Sequence, residues 1–347
     1  MGSTGHEVER TTGRGARSAF KNILIIKPSS LGDIVDALPA VGAIRRKFKT
    51  ARISWLVKEE WAPILHAHPY IDHVIAAPFR WGALPHLARA MREPAFDLVV
   101  DLQGLLRSAV LGRATGAGVR VGFAAAREGA PWFYTDRVTE APGVTHAVER
   151  YLAIARFLGG EGKGDDFGIV SSPATRERVA RFLNESGVKG DAPFAVFHAT
   201  ARWQNKRWPQ ERFAALARAL TARGRPVVFI GSASEREELA RWISDVAPPA
   251  INAAGRFTLP ETAALLRRAA FCVCNDSGPM HLAAAVGTRV IALFGPTDPR
   301  KVGPYGPGHV VIQRHGDCAG CGRHACVRDN ACMRAIEVDD VLGQITI

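Results

Sequence analysis

The chain has 347 residues, more than a single hydrophobic core usually holds, and its length predicts two domains. Hydrophobic residues make up 47% of the sequence, but no apolar run approaches the roughly 18 residues of a membrane span. The net charge of +12 predicts an anionic partner, with an arginine-rich composition alone as the alternative. No basic stretch is interleaved with aromatic residues, so nucleic acid is not expected as a partner.

Residues 1–20 are polar and glycine-rich and predict a flexible tail on a cytoplasmic protein, since they lack the apolar stretch of a signal peptide. After them, apolar segments alternate with amphipathic segments, which is the pattern of parallel sheets covered by helices on both faces. Strands of the first half are expected at residues 23–27, 52–57, 74–76, 98–101 and 119–121. Its helices are expected at residues 37–48, 84–92, 104–114 and 146–158.

A glycine- and aspartate-rich break at residues 159–173 is followed by a predicted helix at 174–186 and by a second break at 187–193. The alternation then starts again. Its strands are expected at residues 194–198, 227–230, 251–252, 271–274, 290–294 and 309–312. Its helices are expected at residues 210–223, 235–247, 260–269 and 280–286.

The pattern therefore predicts an α/β protein with two Rossmann-like, doubly wound parallel sheets. The N-terminal domain is expected at residues 21–170, a linker at 171–192 and the C-terminal domain at 193–347. Sheets of this kind bind ligands beyond the carboxyl ends of their strands. Two of them facing each other would form a cleft with one substrate on each side.

One turn of the second half concentrates backbone donors and polar side chains. It lies between the strand at 271–274 and a helix, and it reads Asn275-Asp276-Ser277-Gly278-Pro279-Met280-His281. Helix N-termini carry unpaired N–H groups and partial positive charge, so they bind anions. Pro279 suits a first helical position, and Gly278 allows a ligand to come close. Simple capping of the helix by Asp276 or Ser277 is the alternative.

A second turn ends the first strand and carries an acidic residue beside a glycine. It reads Lys27-Pro28-Ser29-Ser30-Leu31-Gly32-Asp33 and leads into the helix predicted at 37–48. Asp33 would be ionised at neutral pH, because an aspartate carboxyl has a pKa of about 3.9. It could then act as a general base, cap the helix, or do both.

A polar and aromatic loop, from His198 to Pro209, follows the first strand of the second half. Its three cations, with an amide and a hydroxyl, predict phosphate binding, and a solvated loop packed over Trp208 is the alternative. The sequence has no G-x-G-x-x-G after a strand, no Walker loop and no Gly-x-Ser-x-Gly, which disfavours dinucleotide oxidoreductases, Walker-type ATPases and serine hydrolases. It also has no Asp-x-Asp, so a metal-clamped nucleotide-sugar site lacks its usual ligands.

The six cysteines fall into two groups. Cys272 and Cys274 lie on an apolar strand and are expected to be buried thiols. The other four crowd one late segment, where a structural metal, a disulfide and free thiols are all compatible with the spacing. These four are Cys318, Cys321, Cys326 and Cys332.

Together these stretches resemble glycosyltransferase family nine, the ADP-heptose:lipopolysaccharide heptosyltransferases. The resemblance covers about residues 21–345 and is carried by residues 27–39, 101–104, 198–209 and 275–287, the last followed by 294–299. It implies a GT-B fold, with two Rossmann-like domains and the active site in the cleft. Residues 101–108, 126–134 and 146–150 look most like heptosyltransferase I, whereas the cysteine-rich tail looks more like heptosyltransferase II.

The resemblance implies inverting, metal-independent transfer of L-glycero-D-manno-heptose from ADP-heptose to the Kdo region of lipid A, without a cofactor. Asp33 would be the general base that takes the acceptor proton. The charge that develops on ADP would be balanced by Lys206 and by N–H groups near Ser277 and Gly278. The residues expected to bind the donor are Thr200, Lys206, Glu235, Asp276, Ser277, Gly278 and His281.

On the acceptor side, the resemblance implies a role for the first turn and for three arginines, whose alternative is plain surface charge. These residues are Ser30, Gly32, Arg80, Arg127 and Arg150. Because lipid A is anchored in a membrane, the protein is expected on the anionic cytoplasmic face of the inner membrane, as a peripheral monomer. The rival interpretations are a family member with another acceptor or sugar nucleotide and a non-catalytic nucleotide-sugar-binding protein.

Overall fold

The computed structural model describes residues 20–91, 95–244, 250–314 and 318–345. The tail predicted at residues 1–20 lies outside the described residues, apart from Phe20. Within the described ranges, no helix is long and apolar enough to cross a membrane.

Six parallel strands form the sheet of the N-terminal half. They are β1 (Asn22–Ile26), β2 (Arg52–Val57), β3 (His73–Ala76), β4 (Leu98–Asp101), β5 (Val119–Phe123) and β6 (Asp136–Val138). Their spatial order is β3-β2-β1-β4-β5-β6, so the direction of winding reverses between β1 and β4. The helices of this half are α1 (Leu31–Lys47), α2 (Leu84–Ala90), α3 (Leu106–Ala114) and α4 (Ala147–Phe157).

The second half repeats this architecture. Its strands are β7 (Ala195–His198), β8 (Val227–Phe229), β9 (Ala250–Asn252), β10 (Phe271–Asn275), β11 (Val290–Phe294) and β12 (Val310–Gln313). Their order, β12-β11-β10-β7-β8-β9, places the reversal between β7 and β10. The helices are α5 (Pro173–Glu185), α6 (Gln210–Thr221), α7 (Arg236–Ile243), α8 (Leu259–Arg268), α9 (Gly278–Ala285), α10 (Pro299–Val302), α11 (Ala331–Arg334) and α12 (Val338–Leu342).

The central strands are buried on both faces, which is why they read as continuous apolar runs in the sequence. Residues 23–26 of β1 and every residue of β11 are buried. All the strands predicted from the sequence are present, with ends that differ by at most two residues. The predicted α/β class with two parallel, doubly wound sheets is confirmed.

The start of α1 was predicted wrongly. The helix begins at Leu31 rather than at residue 37, because Asp33 caps it from inside its first turn. The Asp33 carboxylate accepts the backbone N–H of Ser30 at 3.1 Å and its hydroxyl at 2.8 Å. Strand β6 and helices α10 to α12 were missed, since elements of three to five residues carry too little periodicity to recognise.

The segment expected as a linker at 171–192 contains α5, which agrees with the helix predicted at 174–186. Val179 and Leu183 lie on one face of α5 and are fully buried. Around them, Phe182 packs edge-on against Phe257 of the C-terminal half, and Arg178 pairs with Glu261 of α8 at 2.7 Å. The helix is therefore packed against the C-terminal half, and the domain limits themselves remain a prediction.

The two halves meet along α1 and α9, and one apolar cluster continues from α1 and α4 to α8 and β10. Polar contacts cross the same boundary. The Tyr305 hydroxyl donates to Glu149 of α4, and Nε2 of His146 lies 3.0 Å from the Gly303 carbonyl. The carboxyl ends of β1 and β10 are thus held close to one another.

We expect Leu183→Ala to lower the free energy of unfolding by about 2–5 kcal/mol, because a buried leucine leaves a cavity between α5 and α8. Urea denaturation would measure this. Val170→Ala is the matched control, since Val170 precedes the same helix and is 59% exposed. An equal loss in the two variants would contradict the packing of α5 described here.

Candidate functional site

All four polar stretches found in the sequence lie at the two places where strand order reverses. In the first sheet, Ile26 at the end of β1 lies opposite Asp101 at the end of β4. In the second sheet, His198 at the end of β7 lies opposite Cys274 of β10. In open α/β sheets these switch points are where ligands bind. The site can therefore be built from four loops, two from each half.

Asp33 is the centre of the first turn. Its Oδ2 accepts both bonds from Ser30, and its Oδ1 accepts the Tyr151 hydroxyl at 3.3 Å and lies 3.6 Å from Nζ of Lys27. The Asp33 side chain is 43% exposed, whereas that of Lys27 is 5% exposed. The capping function considered for Asp33 is thus present, and the carboxylate is still partly exposed.

Charge around Asp33 keeps it ionised. Burial favours the neutral acid, but the Lys27 ammonium and the hydrogen bonds from Ser30 outweigh it and hold the pKa of Asp33 below its usual range. Burial in turn lowers the pKa of Lys27, although Asp33 and Asp101 partly offset that effect. Asp33 can therefore accept a proton throughout the neutral pH range.

Asp101 is fully buried and holds the loop that follows β4. Its carboxylate accepts the hydroxyls of Tyr134 and Ser108 and the backbone N–H groups of Gln103 and Gly104, at distances of 2.7–3.1 Å. Burial raises the pKa of Asp101 even so. A carboxylate with this many partners fixes the shape of the loop rather than reacting.

The turn at residues 275–281 of the C-terminal half is anchored by the buried amide of Asn275. Its Oδ1 accepts the backbone N–H of Trp208 at 3.0 Å, and its Nδ2 donates to the Ala199 carbonyl at 3.0 Å. These bonds tie the end of β10 to the loop at residues 198–209. Asn275 was part of the predicted turn, but its anchoring role was not predicted, because both partners lie far away in the chain.

Ser277 is the N-cap residue of α9, but in the described structure its side chain makes no capping bond. The hydroxyl instead lies 3.0 Å from Nδ1 of His198, whose Nε2 lies 3.2 Å from the Thr200 hydroxyl. Burial lowers the pKa of His198 to about 4, so this histidine is neutral. Helix α9 thus presents N–H groups that its own cap residue does not satisfy.

Lys206 and Asp276 form a nearly buried ion pair beside this helix, with 2.6 Å between Nζ and Oδ2. The same Asp276 oxygen accepts the Thr297 hydroxyl at 2.5 Å, and Nζ of Lys206 lies 4.4 Å from the centre of the Trp203 ring. An ammonium has three N–H donors, so one pair with Asp276 leaves capacity for a ligand. The structure thus brings together the cation and the turn that were predicted separately.

Glu235 caps the short 3₁₀ turn after β8, where it accepts the N–H and hydroxyl of Ser232 at 2.7 Å each. Burial favours its neutral form, but hydrogen bonds from Thr200 and Ser232 hold the pKa of Glu235 below its usual range. Glu235 and Thr200 therefore belong to one hydrogen-bonded group next to His198. Both predicted donor residues lie at the carboxyl edge of the second sheet.

His281, Gly32 and Gly278 lie where the two halves touch. Nδ1 of His281 is 2.9 Å from Oδ1 of Asp36 in α1. A Cβ at Gly32 would fall 2.6 Å from Cδ2 of His281, and one at Gly278 would fall 2.9 Å from Cβ of Leu31. In this structure the close approach that Gly278 allows is made by Leu31 of the other half.

The three predicted acceptor arginines differ in their surroundings. Arg150 pairs with Glu140 at 2.8 Å and lies over the Phe123 ring, whereas Arg80 and Arg127 are exposed. Arg107 was not predicted. Its guanidinium lies 5.1 Å from the centre of the Phe79 ring, and its buried Nε has no hydrogen-bond partner among the described residues.

All six cysteines are free thiols in the described structure. Cys332 is buried in α11, where its Sγ would lie 3.0 Å from a Cβ placed at Gly295. Burial raises the pKa of the Cys332 thiol. Within the described ranges, no three histidine, cysteine or acidic side chains are arranged to hold a metal ion.

Several residues of the site were missed from the sequence, namely Asp36, Arg107, Tyr151, His198 as a hydrogen-bonding residue, and Thr297. Tyr151 lies in the helix predicted at 146–158, for which only Arg150 was given a role at the site. Thr297 lies in the Phe294–Pro299 stretch that was noted without a role. Each acquires its role through a contact with a residue distant in the chain, so local pattern could not have found it.

Comparison with known proteins agrees with this geometry. The family model described as glycosyltransferase family 9 (heptosyltransferase) matches residues 85–331. Lipopolysaccharide heptosyltransferase 1 of Pseudomonas aeruginosa is 33% identical over an alignment of 323 residues, and the match covers 88% of this chain and 87% of that protein.

Two solved structures of Escherichia coli enzymes are similar over nearly the whole chain. ADP-heptose LPS heptosyltransferase II has a TM-score of 0.77 and 25% identity, and the match covers 93% of this chain and 97% of that one. Heptosyltransferase WaaC with ADP-2-deoxy-2-fluoro heptose has a TM-score of 0.71 and 28% identity, with 93% and 98% covered.

Two Rossmann-like sheets whose polar switch-point turns meet are the arrangement of the GT-B fold, which is the fold of many glycosyltransferases. The family match and the extent of the sequence identity fix the assignment further. The chain belongs to glycosyltransferase family 9, the heptosyltransferases.

We expect Lys27→Met to move the acid limb of the pH profile of turnover upward by about one to three units, because an opposite charge this close lowers a carboxyl pKa by that much. Without Lys27, burial dominates, so Asp33 becomes protonated and loses its proton-accepting form nearer neutral pH. Lys58→Met is the control, since Lys58 lies after the neighbouring strand β2 and within 3.9 Å of Glu60. A limb that stays in place in Lys27→Met would remove Lys27 as the group that keeps Asp33 ionised.

Proposed function

We propose that the protein transfers L-glycero-D-manno-heptose from ADP-heptose to the Kdo region of lipid A, with inversion and without a metal ion. The observation that carries the proposal is the contact between the Asp33 turn and the Ser277–Gly278 turn across the two halves. The heptosyltransferase 1 name of similar proteins supports lipopolysaccharide core synthesis as the setting.

The donor would be held by the C-terminal half. The uncapped N-terminus of α9 and the Lys206 ammonium provide positive charge next to one another, which suits a diphosphate. Thr200 and Glu235 lie at the same sheet edge, where a carboxylate can accept from ribose hydroxyls. Asp276, already paired with Lys206, would orient that cation and the sugar hydroxyls rather than contact phosphate, since like charges repel.

Asp33 would act as the general base. It is the partly exposed carboxylate of the first turn, and it stays ionised at neutral pH. As the acceptor hydroxyl attacks the anomeric carbon, its proton passes to Asp33 and the bond to the ADP oxygen breaks on the opposite face. This in-line displacement inverts the configuration at that carbon.

The leaving ADP would be stabilised by protein groups alone. Lys206 and the N–H groups of α9 are fixed before the reaction, so they can balance the developing charge without reorganising. The lack of any Asp-x-Asp in the sequence supports this account. We accordingly expect neither a metal nor another cofactor to be required.

The acceptor would lie against the N-terminal half, at Ser30, Gly32, Arg80 and Arg127, with Arg150 held ready by Glu140. Arginine suits the carboxylates of Kdo and the phosphates of lipid A because its fork binds them in pairs. The net charge of +12 favours peripheral contact with the anionic cytoplasmic face of the inner membrane. We expect the working form to be a monomer.

A second candidate is the transfer of the next heptose, as in heptosyltransferase II. The similarity to the solved heptosyltransferase II structure favours it, as does the cysteine-rich tail. The donor half would work identically, and only the acceptor would differ.

Incubation with ADP-heptose and Kdo2-lipid A should add one heptose mass to the acceptor, as measured by mass spectrometry. Asp33→Asn should slow this by about 10²-fold or more, since it removes the proton acceptor and keeps the shape. Asp97→Asn is a matched control, because Asp97 accepts two backbone N–H groups at the amino end of the same sheet.

Two further arms of this assay decide the finer points. If heptose is added only to an acceptor that already carries one heptose, the second candidate is favoured. Turnover should also survive excess EDTA, and abolition with rescue by Mg²⁺ would contradict the metal-independent mechanism. A wild-type protein that modifies neither acceptor would refute both candidates.

Lys206→Ala should weaken ADP binding by about 1.5–3 kcal/mol in calorimetry, the usual worth of a charge-assisted contact. Lys301→Ala is the control, because Lys301 is an exposed cation of the same half in the short helix α10. Equal ADP affinity in Lys206→Ala and wild type would remove Lys206 from the donor site.

A further inference from the structure

A buried polar pair joins the helices that follow the two switch-point turns. Asp36 in α1 and His281 in α9 are 245 residues apart in the chain, and their Oδ1 and Nδ1 atoms lie 2.9 Å apart. The side chains are 4% and 8% exposed. A bond this well shielded from water is strong, and breaking it would leave a buried polar group unpaired.

The pair lies directly behind the contact between the two turns. Gly32, one helical turn before Asp36, packs on the imidazole so closely that a Cβ there would lie 2.6 Å from Cδ2. Beside it, Gly278 packs on Leu31. Asp33 lies between Gly32 and Asp36 in the sequence, so its position depends on the same stretch of α1 that His281 touches.

Charge also favours this closed arrangement. Burial lowers the pKa of His281, but Asp36, Asp276 and Asp33 outweigh it and hold the pKa above its usual range. Carboxylates from both halves thus favour the protonated imidazole, two of them from α1 and one just after β10. A cation between them offsets repulsion that would otherwise push the halves apart.

We propose that Asp36 is a positioning residue, which fixes His281 and so holds the donor turn in register with the base Asp33. It touches neither substrate. The proposal rests on the proposed transfer reaction, in which the base belongs to one half and the leaving group to the other. Their alignment therefore depends on the few contacts that join the halves at this place.

Asp36→Asn preserves the shape of the side chain and removes its charge. We expect kcat to fall by about 10- to 100-fold, since a misplacement of about 1 Å can cost that much. ADP affinity in calorimetry should change far less than kcat, because the proposed ADP contacts lie within the C-terminal half. A merely structural role would lower thermal stability and leave the kcat of the folded protein unchanged.

A double-mutant cycle tests whether Asp36 acts through His281. Adding Asp36→Asn to His281→Ala should cause little further loss of kcat, because the imidazole that Asp36 bonds is already gone. Asp72→Asn is the matched control. Asp72 pairs with Arg45 and accepts the Ile53 N–H at 2.7 Å. These contacts lie at the amino-terminal edge of the first sheet, away from Asp33, so removing the Asp72 charge should affect stability alone.

Hydrogen exchange measured by mass spectrometry gives a readout that needs no turnover. Asp36→Asn should speed exchange both at residues 31–37 and at 277–285, whereas Asp72→Asn should affect only the region near its own contacts. If Asp36→Asn fails to fold, Gly32→Ala takes its place. This variant forces a methyl group against His281 and keeps Asp36, and it should speed exchange at the same two regions.

Wild-type kcat in Asp36→Asn, with unchanged exchange at residues 277–285, would overturn the proposal. Additive losses in the cycle would overturn it as well. A wild-type protein that transfers no heptose would instead refute the proposed function, and the exchange experiment would still decide whether Asp36 couples the halves.

Discussion

The structure depends on two helix N-termini that face each other across the meeting point of the two sheets. Each parallel sheet directs the carboxyl ends of its strands to one edge, and α1 and α9 begin there with unpaired N–H groups. The chain satisfies them differently. Asp33 caps α1 from within, whereas Ser277 turns its hydroxyl to His198 and leaves α9 without a side-chain cap in the described structure. One end is closed by its own carboxylate, and the other is met by Leu31 of the first half, which packs against Gly278.

A lysine–aspartate pair lies at each turn, Lys27 with Asp33 and Lys206 with Asp276. The two pairs differ in which partner is the more exposed. Lys27 is nearly buried behind a partly exposed Asp33, so the first turn presents a carboxylate. Asp276 is nearly buried behind Lys206, so the second turn presents a cation. In a transfer reaction, this is the arrangement in which a proton acceptor faces the incoming hydroxyl and positive charge faces the departing phosphate.

Buried polar residues give these turns their rigidity. Asn275 ties the turn at 275–281 to the loop at 198–209, and Asp101 holds the loop after β4 through four hydrogen bonds. Both side chains are fully satisfied at positions that water does not reach, where an unpaired group would be costly. The free-energy cost of burying them is therefore offset, and the two loops they bond to are held in defined shapes.

The sequence by itself determined the two sheets and the turns that carry the site. Continuous apolar runs such as 290–294 predict buried strands directly. The Gly32-Asp33 and Ser277-Gly278 turns could be predicted as well, because turn chemistry is local. Only the tertiary structure decided which side chains meet. The bond between Asp36 and His281, the partners of His198 and the pairing of Arg150 with Glu140 join residues from different elements, and no periodicity encodes them.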